Sequence, residues 1–357
     1  MDIAVGAPHI VRNKRSGLVL SVRDRALASG ARLEIRPLNG DDASQLWYVF
    51  ALDGAVLLAN KASGHLVRAG DDHGFSDHLE QHSSTTGSTH LWRLRKLPGD
   101  GGVHLVNKST TQLMNVRRNS VEPGSTVEMW RKQGPAVGAQ AWSLEVHGDI
   151  DPVVEELRRT RTASPTDIGD VLRLSDYKMP ASDRTEEVLV GQVLLPFPLV
   201  QDRDLTARQR ADETPWYVLR RYAYWHMVYY FEHSGASDHT RTKSVTVGMT
   251  SSNFSEVHKT TGISVTADAA FGYWGLSAAL GTTIGRDLKV TRGSSSSEST
   301  TSSETVTRSY PAGKRVADAV WFRENRYVLS RLDGETVVEW TVRDPDINVV
   351  DSHPDPV

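Results

Sequence analysis

Apolar and polar positions in the first 150 residues fall into a unit that recurs three times. Each unit carries an Asn-Lys turn behind an apolar strand end. The turns are Val11-Arg12-Asn13-Lys14-Arg15-Ser16-Gly17, Leu58-Ala59-Asn60-Lys61-Ala62-Ser63-Gly64 and Leu105-Val106-Asn107-Lys108-Ser109-Thr110. An alternating apolar run follows, as in Leu18, Leu20 and Val22, or Leu113 and Val116 after a break. A second landmark is Leu33-Glu34, Leu79-Glu80 and Val127-Glu128. Each unit ends on Gln45-Leu46-Trp47, His90-Leu91-Trp92 or Gln140-Ala141-Trp142. Alternation with a period of two and turns rich in Asn, Gly and Ser predict short β-strands. One unit cannot bury its apolar face alone, so three must close around a shared core. Trp47, Trp92 and Trp142 are the expected large members of that core.

The second half has a different texture. Asp151-Pro152-Val153-Val154-Glu155-Glu156 has a cap, a proline at the first helical position and acids in the first turn, which predicts a short helix. Residues 151–166 are accordingly a helix and linker between a first domain, 1–150, and a second, 167–342. Val188 to Val200 is β-like, broken at Pro196 and Pro198. Trp216 to Phe231 is crowded with aromatics, and as a strand it puts Tyr222, Tyr224, His226, Val228 and Tyr230 on one face. A core strand is the favoured reading; a surface meeting lipid headgroups or glycans is the alternative. Ser/Thr-dense stretches, Thr240 to Val247 and Gly293 to Ser309, flank an apolar insert, Ile263 to Ile284, that contains no Lys or Arg. The insert alternates: Ile263, Val265, Ala267, Ala269, Phe271 and Tyr273 share one face. Past Trp274-Gly275 the register flips to Leu276, Ala278, Leu280 and Ile284. This predicts a hairpin turning near Trp274, with arms of about 10 residues, the length a tilted strand needs to cross a bilayer. Such text suits a membrane barrel, with apolar side chains to lipid and small or polar ones to the lumen. One hairpin would leave its edges unpaired in hydrocarbon, so insertion requires several copies to close a ring. Val316 to Val342 supplies further strands, with Asp333-Gly334 as a hairpin turn. The tail, 343–357, rich in Asp and Pro, is expected to be poorly ordered.

Composition narrows the function. With 38% hydrophobic and 24% charged residues, the chain reads as globular. A net charge of -3 gives no basic excess for phosphates, so nucleic acid is not an expected partner. There are no cysteines, which excludes disulfides, thiolate nucleophiles and Cys-ligated metals. Met1 to Arg15 lacks the basic-then-apolar pattern of a secretory signal, so release without a recognisable signal peptide is expected. No apolar run reaches the ~18–20 residues of a membrane helix. No P-loop, His-Glu-x-x-His or Gly-x-Ser-x-Gly motif occurs, and Glu155-Glu156 and Glu186-Glu187 are sequence neighbours that do not face each other. The expectation is no enzyme, no cofactor and no metal. His226, His233, His239 and His258 read as surface or hydrogen-bonded histidines, the alternative being groups that titrate in an acidic compartment.

The Asn-Lys-x-Ser-Gly turns and Gln-x-Trp endings resemble the ricin-type β-trefoil lectins over roughly residues 5–147. In that family sugars sit in up to three shallow pockets, each using an Asp after the first apolar strand, an aromatic platform and an Asn beside the Gln-x-Trp glutamine. Here the resemblance places Ser21, Val67 and Asn115 at the Asp position, Arg36, His82 and Trp130 at the aromatic one, and Ser44, Thr89 and Ala139 at the Asn one. It implies carbohydrate binding in the third repeat by Asn115, Glu128 and Trp130. Residues 165–342 resemble the aerolysin-like β-pore-forming toxins, including the epsilon-toxin group and binary mosquitocidal toxins that place a β-trefoil first. This implies an all-β fold, a β-trefoil plus an elongated antiparallel sheet, in an insecticidal pore-forming toxin. Its implied partners are a cell-surface glycan or protein receptor, the target-cell membrane, further copies of itself in the pore and a second toxin component. A lectin or adhesin that never enters a membrane is the rival; a glycan-processing enzyme with a lectin module would need a catalytic fold the Ser/Thr-rich half does not resemble.

Overall fold

A computed structural model describes residues 6–52, 54–70, 78–83, 88–99, 102–133, 138–249, 255–259, 263–265, 271–273, 284–290 and 301–354. By compactness the chain divides into two units. The first takes the described residues of Met1–Arg159 together with Leu195–Tyr217; the second takes those of Thr160–Leu194, Val218–Trp274 and Gly281–Val357.

The first unit is a β-trefoil of twelve strands, four per repeat. They are Pro8–Asn13, Val19–Val22, Leu33–Arg36 and Trp47–Leu52, then Ala55–Asn60, Leu66–Ala69, Leu79–His82 and Trp92–Lys96, then Val103–Asn107, Leu113–Val116, Val127–Trp130 and Trp142–Val146. The ring closes where the first strand pairs the last, Asn13 opposite Trp142. The same partnership recurs as Trp47 opposite Asn60 and Trp92 opposite Asn107. Trp47, Trp92 and Trp142 are fully buried in one cluster with Val11, Leu58 and Leu105. Burying an indole removes roughly 150–250 Å² from water, about 4–6 kcal/mol of gross hydrophobic stabilisation each. Each indole N–H is satisfied by a carbonyl of its own repeat: Leu20 at 3.1 Å, Val67 at 3.2 Å and Met114 at 3.0 Å.

The Asn-Lys landmark is a latch between repeats. The Asn13 carboxamide oxygen accepts from the backbone of Arg15 and Ser16, both at 3.2 Å, and its amino group donates to Ala139 and Ala141 carbonyls of the third repeat. Asn60 ties its own turn to Ser44 and Leu46 of the first repeat, and Asn107 reaches Thr89 of the second. An amide is needed because donor and acceptor are used at once in a buried place.

The sequence-derived helix is present as Pro152–Arg159, with the Asp151 carboxylate accepting from Val153 N–H at 2.8 Å. Leu195–Tyr217 adds to the trefoil a helix, Ala207–Glu213, opened by a Thr206/Gln209 capping box. Phe50 meets Phe197 and Trp216 edge-on at ring distances of 5.8 and 4.8 Å. The Ala207 carbonyl comes so near Gly64 that an added Cβ would lie 2.1 Å from it.

The second unit contains a six-stranded sheet in the order Val188–Pro196, Trp216–His233, Val316–Ser330, Thr336–His353, His239–Gly248, Thr301–Tyr310. Two sequence expectations are corrected here. The last long strand runs to His353 and pairs Val316–Ser330 as far as Ala317 opposite His353, so residues 343–353 are strand and not a loose tail; backbone pairing outweighs the low strand propensity of Asp and Pro. The face drawn through Tyr222 to Tyr230 is broken by a register shift between Met227 and Tyr229. One extra residue reverses the alternation. Met227, Trp225 and Tyr230 therefore pack on one side with Trp321, while Val228, Tyr229 and Phe231 pack on the other with Phe322.

Candidate functional site

The third trefoil repeat forms a cavity of about 250 Å³ lined by Asn115, Arg117, Arg118, Asn119, Glu128, Trp130 and Gln133. Strand pairing builds it, with Asn115 opposite Glu128 and Leu113 opposite Trp130. The Asn115 amino group donates to Glu128 Oε1 at 3.1 Å. Burial pushes the Glu128 carboxyl up, against the opposing pull of that hydrogen bond and of the Arg117 and Arg118 charges. Behind the lining, three buried polar atoms have no hydrogen-bond partner among the described residues: Asn115 Oδ1, Asn119 Oδ1 and Trp130 Nε1. Leaving such an atom unpaired costs about 1–3 kcal/mol.

Register across the repeats fixes which residues are equivalent. Ser21 faces Glu34, Arg68 faces Glu80 and Asn115 faces Glu128. The second repeat thus has Arg68 at the position the sequence assigned to Val67. Val67 lies one residue earlier, where its carbonyl takes the Trp92 indole N–H. The signal was the constant offset from the Asn-Lys landmark: Ser21, Arg68 and Asn115 each follow Asn13, Asn60 and Asn107 by eight residues. Arg36, His82 and Trp130 do stand at equivalent places, opposite Val19, Leu66 and Leu113.

Ion pairs fill the other two repeats differently. In the first, a cavity of about 450 Å³ contains Glu34, which pairs Arg23 at 3.0 Å and Arg36 at 2.6 Å, while Arg25 pairs Asp42 at 2.8 Å. In the second, Arg68 pairs Glu80 at 2.9 Å. Sequence reasoning missed Arg117, Arg118 and Asn119. Their signal was the turn after the second strand of each repeat, Arg23–Arg25 and Arg117–Asn119, where Asp24 and Arg118 hold φ near 56° and 57°.

In the second unit the described parts of the Ser/Thr flanks are strands, His239–Gly248 pairing Thr301–Tyr310 throughout, and residues 293–300 of the second flank lie outside the described residues. Thr240, Thr242, Ser244 and Thr246 lie opposite Ser309, Thr307, Thr305 and Ser303, and all eight are exposed on one face. Of the insert, Ala267, Ala269, Trp274, Leu276, Ala278 and Leu280 lie outside the described residues. The described part corrects the pairing: Ile263 pairs Tyr273 and Val265 pairs Phe271, so these residues face each other across two strands and do not belong to one arm that turns near Trp274. Alternation in an odd-length stretch is compatible with a turn at its middle as well as at its end, so periodicity alone did not place it. Ile284, expected in the second arm, is a buried residue in a helical turn over 284–287. That turn is fastened by buried Arg221, which donates to Leu288 and Lys289 carbonyls at 3.1 and 2.7 Å and grips Asn325 Oδ1. His226 is hydrogen-bonded to buried Glu324 at 2.8 Å, and Tyr224 and Arg343 bond the same carboxylate at 2.8 and 2.9 Å.

Among the described residues no group of three or more His, Asp or Glu is placed to hold a metal ion. No helix among them is long and apolar enough to cross a membrane, which says nothing of strands.

Residues 188–355 match the family model "Insecticidal Crystal Toxin, P42", and residues 43–130 match "Ricin-type beta-trefoil lectin domain-like". No curated protein matches the chain in sequence. The crystal structure of Cry35Ab1 is similar over 99% of this chain and 91% of its own, with a TM-score of 0.75 at 14% identity, a likeness of fold. A ricin B-like lectin from Macrolepiota procera, solved with lactose, covers 41% of this chain and 99% of its own at 15% identity and a TM-score of 0.35. An exo-β-1,3-galactanase from Clostridium thermocellum covers 41% of this chain and 31% of its own at 27% identity and a TM-score of 0.37. The matched families are of toxin and lectin type: the chain carries a ricin-type β-trefoil lectin-like domain followed by a domain of the insecticidal crystal toxin type.

Proposed function

We propose that this protein is a pore-forming insecticidal toxin. Its trefoil binds a cell-surface receptor through a glycan held in the third-repeat pocket. The second unit then assembles with further copies and inserts the apolar segment that begins at Ile263. The protein acts at the target-cell membrane, alone or beside a second toxin component.

The observation that carries this reading is the ribbon of His239–Gly248 and Thr301–Tyr310 on either side of the insert. Its exposed hydroxyl face carries no charge, and hydroxyl-bearing strands suit a wet channel wall while Thr keeps strand propensity high. Several copies are required because strand edges must be paired inside a bilayer.

Dye release from insect midgut membrane vesicles, with and without light trypsin treatment, tests the proposal. Release together with a detergent-resistant oligomer is expected. Val265→Lys with Phe271→Lys should lower release more than tenfold while glycan binding persists, since a cation on the lipid face of a barrel costs about 2–4 kcal/mol at the midplane. A stable monomer that binds glycans but releases nothing would favour the lectin reading instead.

A further inference from the structure

We infer that the third-repeat pocket selects sugars bearing an anionic group, a carboxylate or a sulfate, and that Arg118 is the residue that reads it. The inference rests on the glycan reading above and deepens it. Every repeat buries a glutamate at the same place, Glu34, Glu80 or Glu128. In the first two repeats guanidinium groups are consumed in neutralising it, Arg23 and Arg36 at 3.0 and 2.6 Å and Arg68 at 2.9 Å. In the third repeat Asn115 supplies the close hydrogen bond, and Arg117 makes a longer ion pair at 3.6 Å.

Arg118 is then left over. It is exposed, lines the cavity, and has no hydrogen bond or ion pair among the described residues. Its counterpart in the first repeat is an acid, Asp24, in the same left-handed turn. The pocket lining therefore holds two arginines against one carboxylate, an excess of one positive charge beside Trp130 and the amide side chains of Asn119 and Gln133. The neutral wall atoms suit ring hydroxyls. A free guanidinium beside them suits a planar carboxylate or a sulfate, which it binds through two parallel N–H donors.

Binding of the full chain to lactose, 3′-sialyllactose and 3′-sulfolactose tests this by calorimetry at low and at physiological salt. At least one charged sugar should bind about 10–100-fold more tightly than lactose, the range of a charge-assisted hydrogen bond, and lose part of that gain as salt rises. The carboxylate and sulfate arms show which group the pocket prefers. Arg118→Asn, chosen because Asn tolerates the left-handed backbone, should bring the charged sugars down to the affinity of lactose, whereas Trp130→Ala should remove all three; an Arg118→Asn protein that still prefers a charged sugar would overturn the assignment to Arg118. Equal affinity for the three sugars would overturn the anionic inference and leave the glycan reading standing. No binding of any of them, or of a wider glycan panel, would remove both.

Discussion

At position 111 the third Asn-Lys turn carries threonine where the first two carry Gly17 and Gly64. All three residues donate to the carbonyl of their asparagine at 2.8–3.0 Å, and all three have positive φ, +74° for each glycine and +61° for Thr111. A β-branched residue in this region is strained by about 1–3 kcal/mol. Thr111→Gly is therefore expected to stabilise the trefoil by about 1 kcal/mol after the entropy cost of glycine is subtracted, raising its melting transition by about 2–4 °C in a calorimetric scan. No rise, or a fall, would mean that the Thr110-Thr111 backbone is held by something other than the shared turn. Residues of this kind were readable in the sequence because they recur: Asn13, Asn60 and Asn107 announce themselves by spacing. Arg118 and Asn119 did not, because their importance comes from a left-handed turn and from what the other repeats do with their charges. Neither is visible until the repeats are placed in register.

Strands show a similar division. The Ser/Thr strands His239–Gly248 and Thr301–Tyr310 and the strands as far as Val342 were legible from alternation and turn chemistry, while the continuation to His353 was not. The register shifts in the sheet, at Met227/Tyr229, Phe322/Glu324 and Leu329/Ser330, were not either, since a bulge is set by tertiary need. That need is visible at Glu324. It is a buried carboxylate on a central strand, held by Tyr224, His226 and Arg343 from its two neighbours. Burial alone would raise its pKa, but the His226 hydrogen bond and charge, the Tyr224 hydroxyl and Arg343 outweigh burial and bring it down to about 2 from the ordinary 4.5. A carboxyl whose pKa is depressed on folding stabilises the fold above its unfolded value. That contribution is lost as pH falls from about 4.5 through about 2. Wild-type protein should therefore lose stability over this window, on the order of 3 kcal/mol for a shift of this size. Glu324→Gln should be weaker at neutral pH, because Arg343 is left without its anion, yet flatter between pH 4.5 and 2. Urea unfolding at four or five pH values would measure this, and parallel profiles for the two proteins would assign the acid sensitivity elsewhere.

At the scale of the whole molecule, hydrophobic pattern identified two kinds of β text, but it could not say which core each apolar segment joins. Leu195–Tyr217 follows and precedes strands of the second unit in sequence, yet it belongs to the first. Phe197, Val200, Ala211 and Trp216 are buried, and Phe197 and Trp216 close over Phe50 of the trefoil. Each of these rings is worth about 4–6 kcal/mol of gross burial, with about 0.5–1.5 kcal/mol more from edge-on geometry. A fragment ending at residue 159 would expose Phe50 and the underside of the Gly64 turn, which the Ala207 carbonyl otherwise covers. Such a fragment is expected to bind a hydrophobic dye and to melt well below the same fragment joined through a Gly/Ser linker to residues 195–217. Equal melting temperatures and no dye binding would show that the twelve strands are self-sufficient. Recovery on joining would show that the lectin-like unit is completed by chain that follows the first strand of the second unit, so that a cut at the boundary near residue 159 damages the trefoil itself.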